Sequence, residues 1–383
     1  MMCRLVVITE IIAPYRIPVF NALACHPGID LHVIFLAETD PTQRQWLVHK
    51  EEIQFSFEVL PSWRRRIHGH NLLLNWGMDS TLRQAAPEVV ICGGYNYFAS
   101  WDALRWARRN RVPFLLWVES TSHDLRSRSI FLESLKRKFL EQCDGFLVAG
   151  KSSREYLKSY GVRDDTVITA PNAVDTHFFI QSAQVARGRD AINRQKFKLP
   201  RRYFLFVGRL VKHKGILDLL DAYVMLAPHL REQISLVLAG DGPGRAELQK
   251  RAAAIKPGSV HLAGFLQREE LAVHYALAEA FVFPTHTDPW GLVVNEAMAC
   301  GLPVICSSAT GCAADLIDRQ NGRVVAAGGV LEIASALSEL ADDSQLRSSM
   351  GDASTKKIQA YSPKACAAGM ARAALSCVQL QHV

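Results

Sequence analysis

The chain has 383 residues, a formal net charge of +7 and 49% hydrophobic residues. This length favours two globular domains, each large enough to bury its own core. No apolar run approaches the roughly 18 residues that a membrane-spanning helix needs. The nine cysteines are scattered and contain no CxxC pair, so neither a disulfide framework nor a structural zinc site is expected, and a reducing, cytoplasmic setting fits best.

In the first half of the chain, short runs rich in Val, Ile and Phe alternate with amphipathic segments. This alternation is typical of parallel strands joined by helical crossovers. Strands are predicted at "RLVVIT" (4–9), "DLHVIF" (30–35), "FSFEVL" (55–60), "EVVICG" (88–93), "PFLLWV" (113–118), "GFLVAG" (145–150) and "TVITA" (166–170).

The alternation stops over residues 172–202, which are polar and basic without a clean period and are therefore expected to form a linker with a short excursion. A second series of predicted strands follows at "YFLFVG" (203–208), "ISLVLAG" (234–240), "VHLAG" (260–264), "AFVFP" (280–284), "PVICS" (303–307) and "GRVV" (322–325).

The predicted fold class is α/β, with two Rossmann-like doubly wound domains that face each other across a cleft. The expected divisions are a first domain over 1–175, a linker over 176–202, a second domain over 203–358 and a C-terminal helix over 359–383 that packs back on the first domain. Ligands of such sheets bind beyond the carboxyl ends of the strands. The loops after Gly208, Gly240, Gly264 and Pro284 are therefore expected to face the cleft.

The stretch "HTDPWGLVVNEAMACGLP" (286–303) predicts a helix over 290–300 that carries one acid before it and another inside it. Pro289 suits the first helical position, and Asp288 before it suits a helix cap. Glu296 lies in an apolar context, where an unpaired carboxylate is costly. It needs hydrogen-bond donors, and the two vicinal hydroxyls of a ribose would satisfy both of its oxygens.

Two cations follow the strand that ends at Gly208, in "FVGRLVKHKGI". Arg209 offers a planar fork for phosphate oxygens and Lys214 a mobile point charge, whereas Lys212 is interpreted as surface charge. The helix start at Gly291 also suits a phosphate. The glycine cluster "AGDGPGRAEL" (239–248) lacks GxGxxG spacing and is interpreted as a turn that brings backbone near the ligand. Together these residues predict a nucleotide-diphosphate site without a Walker motif.

At this point "FVGRLVKHKG", "LAGDGPGRAEL", "VHLAGF" and "FPTHTDPWGLVVNEAMACGLPVI", in this order, resemble the retaining glycosyltransferases of family four, which have the GT-B fold. The resemblance is strongest over 203–326 and includes "APNAVDTHFF" (170–179). It implies that Arg209 and Lys214 bind the donor diphosphate, that Glu296 holds the ribose, and that Asp288, where the family commonly has glutamate, contacts the donor sugar or is only a cap. The donor site implied by the resemblance also includes Gly208, Gly240, Gly264, Phe265, Pro289, Trp290, Gly291 and Leu292.

The same resemblance implies that the first domain binds the acceptor. Many relatives place a histidine at the end of the strand that matches "PFLLWVES", where this chain has Glu119. Glu119 is expected to orient the acceptor hydroxyl or to support positive charge at the sugar carbon. His123, four residues later, either shares this role or is an ordinary loop histidine. Tyr15 and Arg16 are expected to line the acceptor side.

The predicted activity is transfer of a sugar from a nucleotide-diphosphate donor to an acceptor hydroxyl, with retention at the anomeric carbon. No DxD motif is present, so neither a metal nor a cofactor is expected. The rivals are an epimerase or hydrolase of the same fold and a non-catalytic sugar-nucleotide-binding protein. A dehydrogenase is disfavoured because the first strand lacks the dinucleotide fingerprint.

Basic residues cluster at 63–66, 105–111 and 126–138. They form either a solvated surface or an interaction face for an anionic membrane or a charged acceptor. A glycan or lipid-linked acceptor, used in polysaccharide or glycolipid biosynthesis at the cytoplasmic side of a membrane, is therefore expected. Nucleic acid is not, because no recognisable binding module accompanies the charges.

Overall fold

The computed structural model describes residues 2–40, 45–67, 70–122 and 130–381. The chain divides into two compact units. The first unit runs to Val174 and takes up the chain again from Ser362, and the second is Asp175–Tyr361. Within the described ranges, none of the helices combines the length and apolar character that a membrane-spanning helix requires.

The first unit contains a seven-stranded parallel sheet of order β3-β2-β1-β6-β7-β8-β9 and a separate antiparallel hairpin, β4-β5. Its strands are β1 (Cys3–Thr9), β2 (Ile29–Phe35), β3 (Ser56–Val59), β4 (Ser62–Ile67), β5 (His70–Asn75), β6 (Val89–Cys92), β7 (Phe114–Val118), β8 (Gly145–Val148) and β9 (Val167–Thr169). The helices up to Val174 are α1 (Ile17–Ala24), α2 (Met78–Ala85), α3 (Phe98–Asn110), α4 (Ile130–Leu140) and α5 (Lys151–Ser159).

The second unit contains a six-stranded parallel sheet of order β12-β11-β10-β13-β14-β15. Its strands are β10 (Tyr203–Val207), β11 (Ser235–Ala239), β12 (Val260–Gly264), β13 (Ala280–Phe283), β14 (Val304–Ser307) and β15 (Gly322–Val325). Its helices are α6 (Thr176–Gly188), α7 (Asp190–Phe197), α8 (Ile216–Val224), α9 (Pro228–Gln233), α10 (Arg245–Ile255), α11 (Arg268–Ala276), α12 (Leu292–Ala299), α13 (Ala313–Leu316), α14 (Val330–Asp342) and α15 (Ser344–Ile358).

Both units confirm the predicted α/β class, and every apolar run predicted as a strand contains a strand of one of the two sheets. The core strands are buried on both faces, as parallel sheets covered by helices require. The strand order reverses between β1 and β6 in the first unit and between β10 and β13 in the second. In each unit, the loops after these two strands therefore border a topological switch point, where ligands of open α/β sheets bind.

The segment 176–202, for which a linker was expected, instead folds into α6 and α7 of the second unit. Asp175 caps α6 by accepting a hydrogen bond from the Phe178 amide at 3.0 Å. Phe179, Ala183 and Ala186 lie buried at helical spacing, and α6 packs on α11 and α12. The apolar stripe of α6 is narrow, and the polar and basic residues on its other face leave no clear helical period in the sequence.

The chain ends in α16 (Pro363–Gln381), which belongs to the first unit and packs on α1. Leu5 and Val7 of β1 point to the sheet face that α1 and α16 cover, and Val6 and Ile8 point to the face covered by α2 and α3. This alternation follows from the two-residue period of a strand. The C-terminal helix thus closes one of the two hydrophobic cores of the first unit.

Candidate functional site

Two loops of the second unit, residues 208–215 after β10 and 284–291 after β13, meet at its switch point. Thr285 Oγ1 donates to the His213 carbonyl at 3.0 Å, and the His286 amide donates to the same carbonyl at 2.8 Å. Gly215 has φ +66°, and a Cβ there would lie 1.9 Å from the Pro284 carbonyl oxygen. The two loops are therefore in direct backbone contact, which fixes the side chains that they carry.

Arg209 follows Gly208 on the first of these loops, and the glycine cluster holds it from one side. The Leu210 amide donates to the Asp241 carbonyl at 2.9 Å, and the Gly244 amide donates to the Leu210 carbonyl at 2.8 Å. At Gly240, where φ is +134°, a Cβ would lie 1.9 Å from the Gly208 carbonyl oxygen. The sequence predicts that the turn at 239–248 brings its backbone near a ligand. In the structure, the glycines of this turn bring its backbone into contact with the loop that carries Arg209.

The Arg209 side chain is exposed and makes no ion pair or hydrogen bond with a residue in the described ranges. Neighbouring Gly264 ends β12 with φ +79°, and its carbonyl accepts from the Gly240 amide at 2.7 Å. Phe265 follows with 39% of its surface exposed. The carboxyl ends of β10, β11 and β12 thus carry a free guanidinium and an accessible aromatic ring.

Lys214 and Asp288, predicted from separate motifs, form an ion pair. Lys214 Nζ lies 2.7 Å from Asp288 Oδ2 and 3.3 Å from the Thr287 carbonyl oxygen. The two side chains are only 14% and 20% exposed, so each supplies the countercharge that the other needs when it is largely withdrawn from water. Asp288 Oδ1 also accepts from the Trp290 amide at 3.0 Å.

The helix predicted over 290–300 begins later than expected, because α12 starts at Leu292 and Gly291 precedes it with φ +90°. Asp288 is therefore not its cap, and Pro289 is not its first residue. The Asp288 and Trp290 carbonyls accept hydrogen bonds from the Gly311 and Cys312 amides at 2.9 and 3.0 Å, which holds this stretch against the loop after β14.

The buried Trp290 ring donates from Nε1 to Asn295 Oδ1 at 2.9 Å, whereas Pro289 is exposed. Gly291 is required here, since a Cβ would lie 2.8 Å from Thr310 Cγ2. The helix ends at Ala299, and Gly301 takes φ +75°, which agrees with the predicted stop at Gly301 and Pro303.

Glu296 lies in the second turn of α12 and has a partner that sequence reasoning missed. Tyr275 of α11 donates its hydroxyl to Glu296 Oε2 at 2.9 Å. Burial raises the pKa of Glu296 to about 7, although the Tyr275 hydrogen bond opposes the shift. Its Oε1 accepts no hydrogen bond from the described part of the chain and remains able to accept one from a ligand.

In the first unit, Arg16, Glu119 and Asn172 come together beyond the ends of β1, β7 and β9. Arg16 is buried, pairs with Glu119 Oε1 and donates to Asn172 Oδ1 at 3.0 Å. Asn172 Nδ2 donates to the same Glu119 oxygen at 3.1 Å. Burial disfavours the charged guanidinium, but the Glu119 carboxylate outweighs this effect and the pKa of Arg16 is raised.

Arg16 also stacks over the Trp117 ring, with its guanidinium carbon 4.0 Å from the ring centroid. Tyr15 packs edge-on against Trp46 at 5.9 Å. Sequence reasoning selected Tyr15, Arg16 and Glu119 but missed Asn172, whose position directly beyond a strand end was the available signal. His123 lies outside the described residues.

Two family models match the chain. Residues 24–178 match "Glycosyltransferase Family 4", and residues 189–357 match "Glycosyl transferases group 1". The matched ranges lie in the first and second unit respectively, apart from the first few residues of α6.

Curated relatives agree with these matches. O-antigen chain mannosyltransferase B of Escherichia coli is 28% identical over 189 residues, which cover 48% of this chain and 49% of that protein. D-inositol 3-phosphate glycosyltransferase of Thermomonospora curvata is 30% identical over 210 residues, which cover 51% and 48%. The chain thus spans about half the length of the curated relatives it matches.

Among solved structures, Anabaena HepE in complex with UDP and glucose superposes with a TM-score of 0.72 at 17% identity, over 98% of this chain and 99% of that one. At this identity the likeness establishes the fold. The chain therefore belongs to the family-four glycosyltransferases and has the GT-B fold.

The close backbone approach at Gly240 predicts that a side chain at this position destabilises the protein. We expect Gly240→Ala to lower the free energy of unfolding by about 3 kcal/mol or more, because it adds a Cβ at a positive φ against a carbonyl oxygen. Gly188→Ala is the matched control, since a Cβ there meets nothing within 4 Å. Urea unfolding of both variants measures the difference, and equal stability of the two would contradict the packing described.

The partly buried carboxyl of Glu296 predicts a pH dependence of stability. Because its pKa is raised to about 7, the folded state keeps a proton that the unfolded state releases near pH 4.5. The free energy of unfolding should therefore fall as pH rises through this window, by up to about 3 kcal/mol.

Glu296→Gln should flatten this part of the pH profile. Tyr275→Phe should move it to higher pH, because the Tyr275 hydrogen bond favours the ionised form. Urea titrations at a series of pH values make the comparison, and an unchanged slope in Glu296→Gln would assign the dependence to another group.

Proposed function

We propose that this protein is a retaining glycosyltransferase that moves a sugar from a nucleotide-diphosphate donor to an acceptor hydroxyl. The observation that carries the proposal is the charge arrangement at the switch point of the second unit, where the free Arg209 guanidinium stands on the same braced loop as Lys214 and its partner Asp288. HepE, a solved structure of similar fold, was crystallised with UDP and glucose.

Arg209 and Lys214 supply the positive charge that a departing diphosphate requires. As the bond to the sugar breaks, negative charge grows on the diphosphate oxygens, and donors fixed in advance stabilise it without reorganisation. Arg209 is free to engage two oxygens with its planar fork. Lys214 is held in place by Asp288 and Thr287, so its ammonium needs little movement. The amides at the start of α12 add partial positive charge.

Asp288 is proposed to act in two ways. One carboxylate oxygen holds Lys214, and the other accepts from the Trp290 amide. A carboxylate oxygen has more than one lone pair, so each can also accept a hydroxyl of the donor sugar. This accounts for an acid at this position even though aspartate is shorter than the glutamate common in the family.

Glu296 is proposed to bind the ribose of the donor. Its Oε1 is available, and its Oε2 is already oriented by Tyr275. A vicinal diol donates to both oxygens of an ionised carboxylate and thereby favours the ionised form. We propose that donor binding replaces the solvation that Glu296 loses by burial.

The first unit is proposed to bind the acceptor through Glu119, with Tyr15 and Arg16 beside it. Glu119 is 45% exposed, and Arg16 and Asn172 engage one of its oxygens. The other oxygen can orient an acceptor hydroxyl or support positive charge at the sugar carbon. The role of His123 stays a prediction. We infer a glycan or lipid-linked acceptor, used at the cytoplasmic face of an anionic membrane, from the exposed basic residues and the relationship to an O-antigen mannosyltransferase.

A panel of nucleotide sugars, including UDP-glucose and GDP-mannose, tests the donor half of this proposal. A ligand that binds only the folded state raises the unfolding temperature by mass action. The stabilising donor is then incubated with and without candidate acceptors, and released diphosphate is measured. Acceptor-dependent release supports a transferase. Acceptor-independent release indicates a hydrolase, and binding without turnover over a broad acceptor panel indicates a sugar-nucleotide-binding protein.

Substitution of Arg209 tests the assignment of the leaving-group site. We expect Arg209→Ala to lower kcat roughly 10²–10³-fold, about 2.7–4 kcal/mol of transition-state stabilisation, because it removes a donor to the departing diphosphate. Lys212→Ala is the matched control, since Lys212 is exposed on the same loop. Steady-state kinetics with the stabilising donor compare the two, and near-normal turnover of Arg209→Ala would refute the assignment.

A further inference from the structure

The hairpin β4-β5 has two faces of different character. Its antiparallel register pairs Trp63 with Leu74 and Arg64 with Leu73, and the Trp76 amide extends the ladder by donating to the Pro61 carbonyl at 3.1 Å. Because side chains alternate across a strand, Arg64 and Leu73 share one face, and Trp63, Leu74 and Trp76 share the other.

The face of Arg64 and Leu73 is anchored to the first unit. Leu73 is buried, and Arg64 lies 2.7 Å from Asp40 Oδ2 and 3.2 Å from Glu10 Oε1. Asn75 on the same face donates to the Leu36 carbonyl at 2.5 Å. Glu10 follows β1, and Leu36 and Asp40 follow β2, so the hairpin is tied to the carboxyl ends of two sheet strands. Its opposite face is therefore held outward in a fixed orientation.

This outer face consists of Trp63, Arg65, Leu72, Leu74 and Trp76. Trp63 is 42% exposed and Trp76 is 56% exposed. Arg65 is exposed, and both leucines are partly exposed. Two tryptophans and two leucines on a short hairpin form an apolar patch. Such a patch is typical of an interaction site rather than of a surface that contacts only water.

Basic residues of α3 lie beside the end of the hairpin. A depression of about 420 Å³ is lined by Asn75 and Gly77 at the end of the hairpin and by Arg105 and Arg109 of α3. Its lining also includes Asp79 and Asp102, but these pair with Arg83 and Arg105. Arg109 of α3 and Arg65 of the outer face have no ion-pair partner within the described ranges, so each contributes an uncompensated positive charge.

We propose that the outer face of the hairpin docks the protein on an anionic lipid bilayer. Tryptophan rings lie at the boundary between headgroups and acyl chains, where their apolar body and polar N–H are both satisfied. Arginine side chains beside them bind headgroup phosphates. The inference rests on the proposed function, because a lipid-linked acceptor would be presented at such a surface.

A second copy of the chain fits this face less well. A two-fold interface places the same patch on both partners, which would bring the positive charge of Arg65 on one copy near that of Arg65 on the other. An anionic bilayer instead supplies opposite charge to Arg65 and an apolar layer to the tryptophans. The charge of the face therefore selects the lipid surface.

Vesicle flotation of the full chain tests the proposal. The probes are vesicles of phosphatidylcholine alone and of phosphatidylcholine mixed with phosphatidylglycerol. Wild-type protein should float with the anionic vesicles and only weakly with the zwitterionic ones. Trp63→Ser with Trp76→Ser should lower the partition coefficient roughly tenfold or more, and Arg65→Gln about fivefold. Leu331→Ser is the matched control, since Leu331 is 71% exposed on the second unit.

Thermal shifts with the stabilising donor keep the two hypotheses separate. Hairpin variants that lose vesicle binding but keep the donor-induced shift support the docking face. The docking proposal would be overturned if the wild-type protein does not bind anionic vesicles, or if the hairpin variants bind them as well as the wild type does. Either result would do so even if sugar transfer is established. A dimer in light scattering that the tryptophan variant abolishes would also overturn it, in favour of a second copy.

Discussion

The candidate donor site depends on backbone contact between the loops after β10 and β13. At Gly215 there is no room for a side chain, since a Cβ would lie 1.9 Å from the Pro284 carbonyl oxygen, and the His213 carbonyl accepts hydrogen bonds from both Thr285 and His286. These contacts bring Lys214 and Asp288 within 2.7 Å although they are distant in sequence. The glycine cluster after β11 braces the same loop from its other side. The positions of the charges therefore follow from where glycine permits close backbone packing.

The charged groups of the second unit differ in how far each is satisfied without a ligand. Lys214 is largely buried and has Asp288 as its countercharge. Arg209 has no countercharge among the residues that the structure describes, and because it is exposed, water solvates its charge. Glu296 is the group whose ionised form is least stabilised by the protein. Burial raises its pKa to about 7, and Tyr275 donates a hydrogen bond to one of its two oxygens. A ligand with an anionic group and a vicinal diol would satisfy Arg209 and Glu296 together. A nucleotide carries both groups.

The parallel strands and most of the candidate site could be predicted from the sequence, because buried strands and strand-end cations are local signals. The start of α12 could not be predicted. Asp288 and Pro289 are typical of a helix start, but hydrogen bonds from the Gly311 and Cys312 amides hold this stretch outside the helix, and the sequence does not reveal these bonds. Helix α6 was missed because its apolar stripe is narrow, and the hairpin because the consecutive arginines 64–66 conceal a two-residue alternation. For the two helices, the decisive partner lies far away along the chain.

Glu119 stands where the resemblance to the family implies a histidine, and the two side chains offer different chemistry. A histidine can donate and accept a hydrogen bond, and it titrates near neutral pH. Glu119 is paired with the buried Arg16 guanidinium and also accepts from Asn172, so it behaves as a fixed acceptor. Without this carboxylate, the buried Arg16 guanidinium would lack a countercharge. Glu119 is therefore a structural requirement of the loop as well as a candidate ligand for the acceptor. Its other oxygen can therefore orient a hydroxyl by accepting a hydrogen bond from it.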